Sequence, residues 1–244
     1  PSSPSHPSSH PSLPRFSLSL GLCNRRLLLP LLLLAIGRVM AAAGPPSGFG
    51  SAAITVVALL LAAHAAARPD PAARDSVEFI RSSCGTTQYP RLCFQTLSGY
   101  AATVQTSPMQ LAHAALSVSL DCARSTSAAM ARMLAGASGM RPREAAAMRD
   151  CVETMGYSVD ELRRSLGEMG KLGRDARAQL GLHISNIQTW VSAALTEEGT
   201  CMDGFASGAM DGSVKNAVRA HIVNAAQLTS NALGLVNDLV SRAP

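Results

Sequence analysis

Between residues 148 and 169 apolar side chains recur at Met148, Val152, Met155, Val159, Leu162, Leu166 and Met169, a strict alternation of four and three. That alternation lays one apolar seam along an α-helix and does not suit a strand, whose buried side chains recur at every second residue. The same signature appears at Leu180, Ile184, Ile187, Val191 and Ala194, and again at Val214, Val218, His221, Ala225, Leu228, Ala232, Leu235 and Leu239. A fourth stripe runs through positions 111, 115, 118, 122, 125 and 129. Local chemistry marks the ends. Ser107-Pro108-Met109-Gln110 combines an N-cap serine, proline at the first helical position and a glutamine able to reach back, and this helix should run to about Gly136. The second should begin near Pro142 and stop at Gly170 and Gly173, the third should stop around Gly204, and the fourth should begin near Ser213. Four rods with short connections predict an all-α, up-and-down four-helix bundle over 107–242. Aromatic residues make up only 4% of the chain, which argues against an all-β sandwich.

The segment from Asp75 to Tyr100 carries Val77, Phe79, Ile80, Leu92, Phe94 and Leu97 and is too short to fold alone. We expect 75–100 to form a helical hairpin that docks on one end of the bundle or on a partner. Upstream, residues 1–15 are almost wholly Pro, Ser and His, which cannot bury a core, and the first methionine is Met40. An uncharged stretch from Ala52 to Ala67 ends in small residues before Arg68, as a cleaved signal peptide does, and its sixteen residues fall short of the ~20 that span a bilayer. The expected organisation is untranslated or leader sequence over 1–39, a signal peptide over 40–67 and one secreted domain over 68–244, with no stable membrane anchor after cleavage.

Six cysteines occur, at 23, 84, 93, 122, 151 and 201, and setting Cys23 aside with the leader leaves five. An odd number in a secreted chain predicts two bridges and one leftover thiol. Cys84 and Cys93 flank turn chemistry at Gly85, Tyr89 and Pro90 and can close locally. Cys122 falls on the stripe of its helix, where a thiol serves as a small buried hydrophobe, so it is expected as a free thiol and Cys151 pairs with Cys201.

The net charge of +5 depends on four arginines before residue 40; from residue 68 onward 17 basic residues meet 16 acidic ones, so a nucleic-acid partner is not expected. Metal chemistry is not expected either, because C-x-x-C is absent and no H-x-x-x-H occurs from residue 68 onward. The sequence also lacks G-x-S-x-G. His113, His183 and His221 fall on three different helices, and His221 on its seam reads as a hydrogen-bonded core residue. The acidic residues Asp150, Glu153, Asp160, Glu161 and Glu168 share the second helix with Arg149, Arg163 and Arg164 and read as a solvated face of i, i+3 and i, i+4 pairs. No cofactor and no catalytic residue is expected, and the most economical reading is a binding protein.

Three stretches carry a resemblance. The first is Phe79-Ile80-Arg81-Ser82-Ser83-Cys84 with Thr87-Gln88-Tyr89-Pro90-Arg91-Leu92-Cys93 and Leu97. The second is Asp150-Cys151 with Tyr157 and Val159-Asp160-Glu161-Leu162. The third is Thr189-Trp190-Val191-Ser192-Ala193-Ala194-Leu195-Thr196 leading to Thr200-Cys201-Met202-Asp203-Gly204-Phe205. Together they resemble the plant invertase and pectin methylesterase inhibitors over essentially all of 75–242. The resemblance implies the same two disulfides, a four-helix bundle behind a helical hairpin, and a non-enzymatic role. The branch that blocks cell-wall or vacuolar invertase carries Pro-Lys-Phe between the second and third bundle helices; here that connection reads Gly170-Lys-Leu-Gly-Arg-Asp-Ala-Arg-Ala-Gln179. The Thr-Trp-Val-Ser-Ala-Ala-Leu-Thr run is closer to the pectin methylesterase inhibitors and to the pro-regions of some pectin methylesterases.

The resemblance therefore implies a secreted, apoplastic, monomeric inhibitor that binds pectin methylesterase one to one and covers its pectin cleft. Invertase is the alternative target. With Pro244 closing the sequence, a free-standing inhibitor is expected, the further alternative being a pro-region from a truncated gene model. The expected contacts are solvent-facing positions of bundle helices two and three: Glu153, Asp160 and Glu161 on one, Asn186 and Thr189 on the other.

Overall fold

A computed structural model describes residues 71–136, 139–172, 179–206 and 212–241. The leader and signal-peptide expectations, 1–39 and 40–67, lie outside the described residues. In chain order the elements are α1 (Pro71–Cys84), α2 (Pro90–Leu97), a 3₁₀ turn (Ser98–Tyr100), α3 (Ala101–Val104), α4 (Pro108–Ala135), α5 (Pro142–Met169), α6 (Leu180–Asp203) and α7 (Ser213–Ser241). The four long helices pack in a ring: α4 on α5, α5 on α6, α6 on α7, and α7 back on α4. This is the all-α, up-and-down bundle that the four apolar seams predict.

The helix ends follow from local hydrogen bonding. Proline opens α2, α4 and α5, where its missing N–H would have no intrahelical partner anyway. At α4 the Gln110 amide donates to Ser107 Oγ at 3.3 Å. At α5 the cap is reversed: Glu144 reaches back to accept from the Arg141 amide at 3.0 Å and from its guanidinium at 2.7 Å. Gly136, Gly170 and Gly204 close α4, α5 and α6, their amides bonding to Arg132, Leu166 and Thr200 carbonyls.

The seams turn slightly from their predicted positions. On α5, Met148, Met155, Val159, Leu162 and Met169 are buried as expected, but Val152 and Leu166 are only half-buried and Cys151, Ser158 and Ser165 enter the core. These three lie one heptad apart, and their small side chains let a neighbouring helix approach closely. On α7, Ile222 fills the core and His221 is half-buried, so the seam reading of His221 is corrected by one residue. On α4, Val118 is half-buried and Ser125 exposed, while Leu116, Ser119, Ala123, Thr126 and Met130 are buried. An ideal helix turns every 3.6 residues and a 4,3 pattern every 3.5, so a seam drifts across the face over several turns.

Both predicted disulfides are present, Cys84 to Cys93 and Cys151 to Cys201, the second joining α5 to α6. The expectation for Cys122 is corrected. Among the described residues no cysteine is free, and Cys122 is a fully buried, disulfide-bonded residue whose partner lies outside the described residues. The count of five came from setting Cys23 aside; over the full chain the number is even.

The hairpin of α1 and α2 docks on its own bundle. Ile80, Cys84, Cys93, Leu97 and Val104 join the core. Arg81 lies over the Phe94 ring at 4.1 Å. The turn between α1 and α2 is clamped to α7: Asn231 accepts from the Tyr89 amide at 2.9 Å and donates to the Tyr89 carbonyl at 3.0 Å. Ser230 donates to Gln88 and Thr86 donates to Asp238 beside it.

Candidate partner-binding face

The five residues expected at a contact sit on two neighbouring helices, and the structure divides them between two surroundings. Glu153 and Asp160 are exposed and seven residues apart on α5, so they project in nearly the same direction. With Tyr157 between them they line one wall of a shallow groove whose other wall is Arg124, Ser127 and Ala131 of α4. Tyr157 is half exposed, and its hydroxyl donates to Glu153 Oε1 at 2.7 Å. That bond, together with the Glu153 charge, favours the neutral phenol and pushes its pKa upward. Arg163 pairs with Asp160 and Arg124 with Asp121. Exposed i, i+3 pairs of this kind contribute only ~0–1 kcal/mol, so these charges are lightly held.

Glu161 points elsewhere. It precedes Glu168 by seven residues and therefore shares the side of α5 that faces α6, and its side chain is only 19% exposed. Arg164 donates to its Oε1 at 3.0 Å. On α6, Thr189 is exposed, with its hydroxyl donating to the Ser185 carbonyl. Asn186 is half-buried, and its amide donates to Glu168 Oε1 at 3.0 Å.

Glu168 is the centre of a buried knot where α5 ends and α6 begins. Its Oε1 accepts from Asn186 and from His183 Nδ1 at 2.6 Å, and its Oε2 accepts from Lys171 Nζ at 2.8 Å. These donors, led by Lys171 and His183, hold the carboxyl down to about 2, so it is ionised and the histidine Nδ1 carries the proton it donates. The reading of Glu168 as part of the solvated acidic face is thereby corrected: it is 5% exposed and ties two helices together. The signal was its position, one residue before the seam residue Met169.

A second carboxyl was missed altogether. Glu198 of α6 is fully buried, and its Oε1 accepts from Ser158 of α5 at 2.9 Å and Thr229 of α7 at 3.0 Å. Continuing the α6 alternation of three and four past Ala194 lands on Glu198 and Cys201, so the spacing did mark it.

Among the described residues no group of three His, Cys, Asp or Glu side chains is placed to hold a metal ion, and no helix is long and apolar enough to cross a membrane. What the surface offers is a helical face on α5 and α6 that carries exposed, paired charges beside hydroxyl and amide groups held by hydrogen bonds.

Three comparisons bear on whose surface this is. Residues 78–235 match the family described as plant invertase/pectin methylesterase inhibitor. A 21 kDa protein of Daucus carota is 44% identical over 187 residues, 77% of this chain and 94% of that protein. Pectinesterase inhibitor 11 of Arabidopsis thaliana is 44% identical over 181 residues, 74% of this chain and 89% of that protein. Among solved structures, a mutant form of a pectin methylesterase inhibitor from Arabidopsis superposes with a TM-score of 0.50 at 22% identity, over 63% of this chain and 92% of that one, which bears on the fold alone.

Proposed function

Because this chain belongs to the plant invertase/pectin methylesterase inhibitor family, we propose that it is a secreted, non-catalytic inhibitor of pectin methylesterase. The observation that carries this reading is the 44% identity to pectinesterase inhibitor 11 across 89% of that protein's length. Occlusion is the mechanism. A monomer of the bundle lies across the esterase's pectin cleft in a one-to-one complex and keeps the polymer from the catalytic carboxylates, with no covalent step. Glu153 and Asp160, beside Tyr157, form one contact strip. Glu161, Asn186 and Thr189 form the other, with Asn186 oriented by its bond to Glu168. Disulfides suit an oxidising compartment, and the apolar stretch Ala52 to Ala67 is consistent with export to the cell wall.

Titrating the purified protein against a pectin methylesterase at fixed substrate tests this reading. Activity should fall linearly to an end point at one equivalent. The family description also names invertase, so an invertase is titrated in parallel. Full esterase activity at excess protein refutes the proposal, and loss of invertase activity alone assigns the other target.

A further inference from the structure

Glu198 occupies a position that the seam of α6 would give to an apolar side chain. Ile187, Val191, Ala194 and Cys201 on either side of it are all buried. Its carboxyl is sealed between three helices, yet both donors reach the same oxygen, Oε1. Oε2 is buried with no hydrogen-bond partner. An ionised carboxylate offers about four acceptor sites and needs a cation or several donors when taken out of water.

No cation supplies that need among the described residues. On α7 no ionisable residue lies between His221 and Asp238, which leaves Thr229 flanked by Ala225, Leu228 and Ala232. On α5 the ionisable residue one turn beyond Ser158 is Glu161, itself acidic, paired with Arg164 through Oε1 and with Oε2 buried and unpartnered. On α6, Glu197 is half exposed and Asp203 lies at the helix end; across the bundle on α4, Asp121 and Arg124 are exposed and paired with each other. A neutral acid resolves the conflict, because the proton sits on Oε2 and the charge disappears.

We propose that Glu198 makes the bundle a pH-sensitive fold, its core layer closing around a neutral carboxylic acid and loosening when that acid loses its proton. Burial, only partly offset by the Ser158 and Thr229 hydroxyls, raises this carboxyl from 4.5 to about 7. Below about 4.5 the folded and unfolded chains both hold the proton, and the stabilisation is complete. Between about 4.5 and about 7 the unfolded chain gives up its proton while the folded chain retains it, so stability declines as pH rises. Above about 7 the folded chain carries the whole penalty. A shift of this size corresponds to roughly a 300-fold change in the unfolding equilibrium constant. The device concerns the fold itself and holds whichever enzyme the surface binds. It would make the protein firmest in an acidic compartment and loosest in a neutral one.

The test is denaturant unfolding of the disulfide-intact wild type and of Glu198→Gln, which keeps the shape and is neutral at every pH, followed by circular dichroism from pH 4 to pH 8. The wild-type stability should fall relative to the variant across this range by a factor of roughly 300 in the unfolding constant. In parallel, the ¹³C carboxyl resonance of Glu198 in the wild type should titrate near neutrality, a readout independent of whether the variant folds. A gap between the two proteins that is constant from pH 4 to pH 8, or a Glu198 resonance that titrates below pH 5, overturns the proposal.

Discussion

Replacing Glu168 by glutamine removes one charge and changes no volume, which makes it the sharpest probe of how α5 and α6 are held together. The wild-type carboxylate accepts from His183, Asn186 and Lys171. Lys171 is half exposed, so its share is discounted to ~0–1 kcal/mol. The His183 pair is buried, and hydrogen bonds to charged groups contribute ~1.5–3 kcal/mol each. In the glutamine variant one oxygen remains to accept, while its NH₂ group meets a donor, so the net loss should be about 3 kcal/mol. For a domain of this size that lowers Tm by about 6–12 °C. The pH dependence sharpens the test. A carboxyl held down to about 2 contributes stability that is complete above about 4.5 and is lost as pH falls toward 2. Thermal melts of the two proteins at pH 7 and through the acid range should show a gap that closes below pH 4. A gap under 2 °C at pH 7, or one that persists unchanged at pH 2, refutes the argument. Because each comparison is made at one pH, the opposite trend from Glu198 cancels.

Three other perturbations have defined outcomes. Removing the 50-residue bridge with Cys151→Ala and Cys201→Ala should cost about 4 kcal/mol in urea unfolding, and removing Cys84 and Cys93 about 3 kcal/mol, following the loop each pair closes; equal losses would reject the loop-length account. Asn231→Ala should cost about 1–2 kcal/mol and should raise hydrogen exchange at the Tyr89 amide well above that of the bundle core, since it breaks both bonds of the clamp. Joint Glu153→Gln and Asp160→Asn should leave the melting temperature within about 2 °C and weaken inhibition by about tenfold near neutral pH; unchanged inhibition from pH 5 to pH 8 removes these carboxylates from the contact.

Helix starts such as Ser107-Pro108 and Pro142 could be read from the chain because their cause is local: a proline that needs no donor partner and a side chain that supplies one. The Cys84 to Cys93 bridge was legible for the same reason. What the chain hides is direction around each helix axis. A 4,3 pattern names a seam, yet whether Val152 or Cys151 faces inward, or His221 or Ile222, is decided by the neighbouring helix. Small residues at Cys151, Ser158 and Ser165 allow α5 to roll toward α6.

That roll also explains why the burial of Glu168 is hidden, whereas Glu198 lies on the α6 seam itself. Glu168 reads by residue type as a member of a polar surface and Glu198 draws no reading at all, although position places both at or beside a seam. A carboxyl at such a position has two outcomes, distinguished by what the opposing helix supplies. Opposite His183, with Asn186 and Lys171 at hand, Glu168 is stabilised as an anion. Opposite only the hydroxyls of Ser158 and Thr229, Glu198 is stabilised as an acid. The same side chain thus acquires opposite responses to pH within one bundle, and the sequence of a single helix cannot say which, because apart from Lys171 the donors lie on the helices that pack against it.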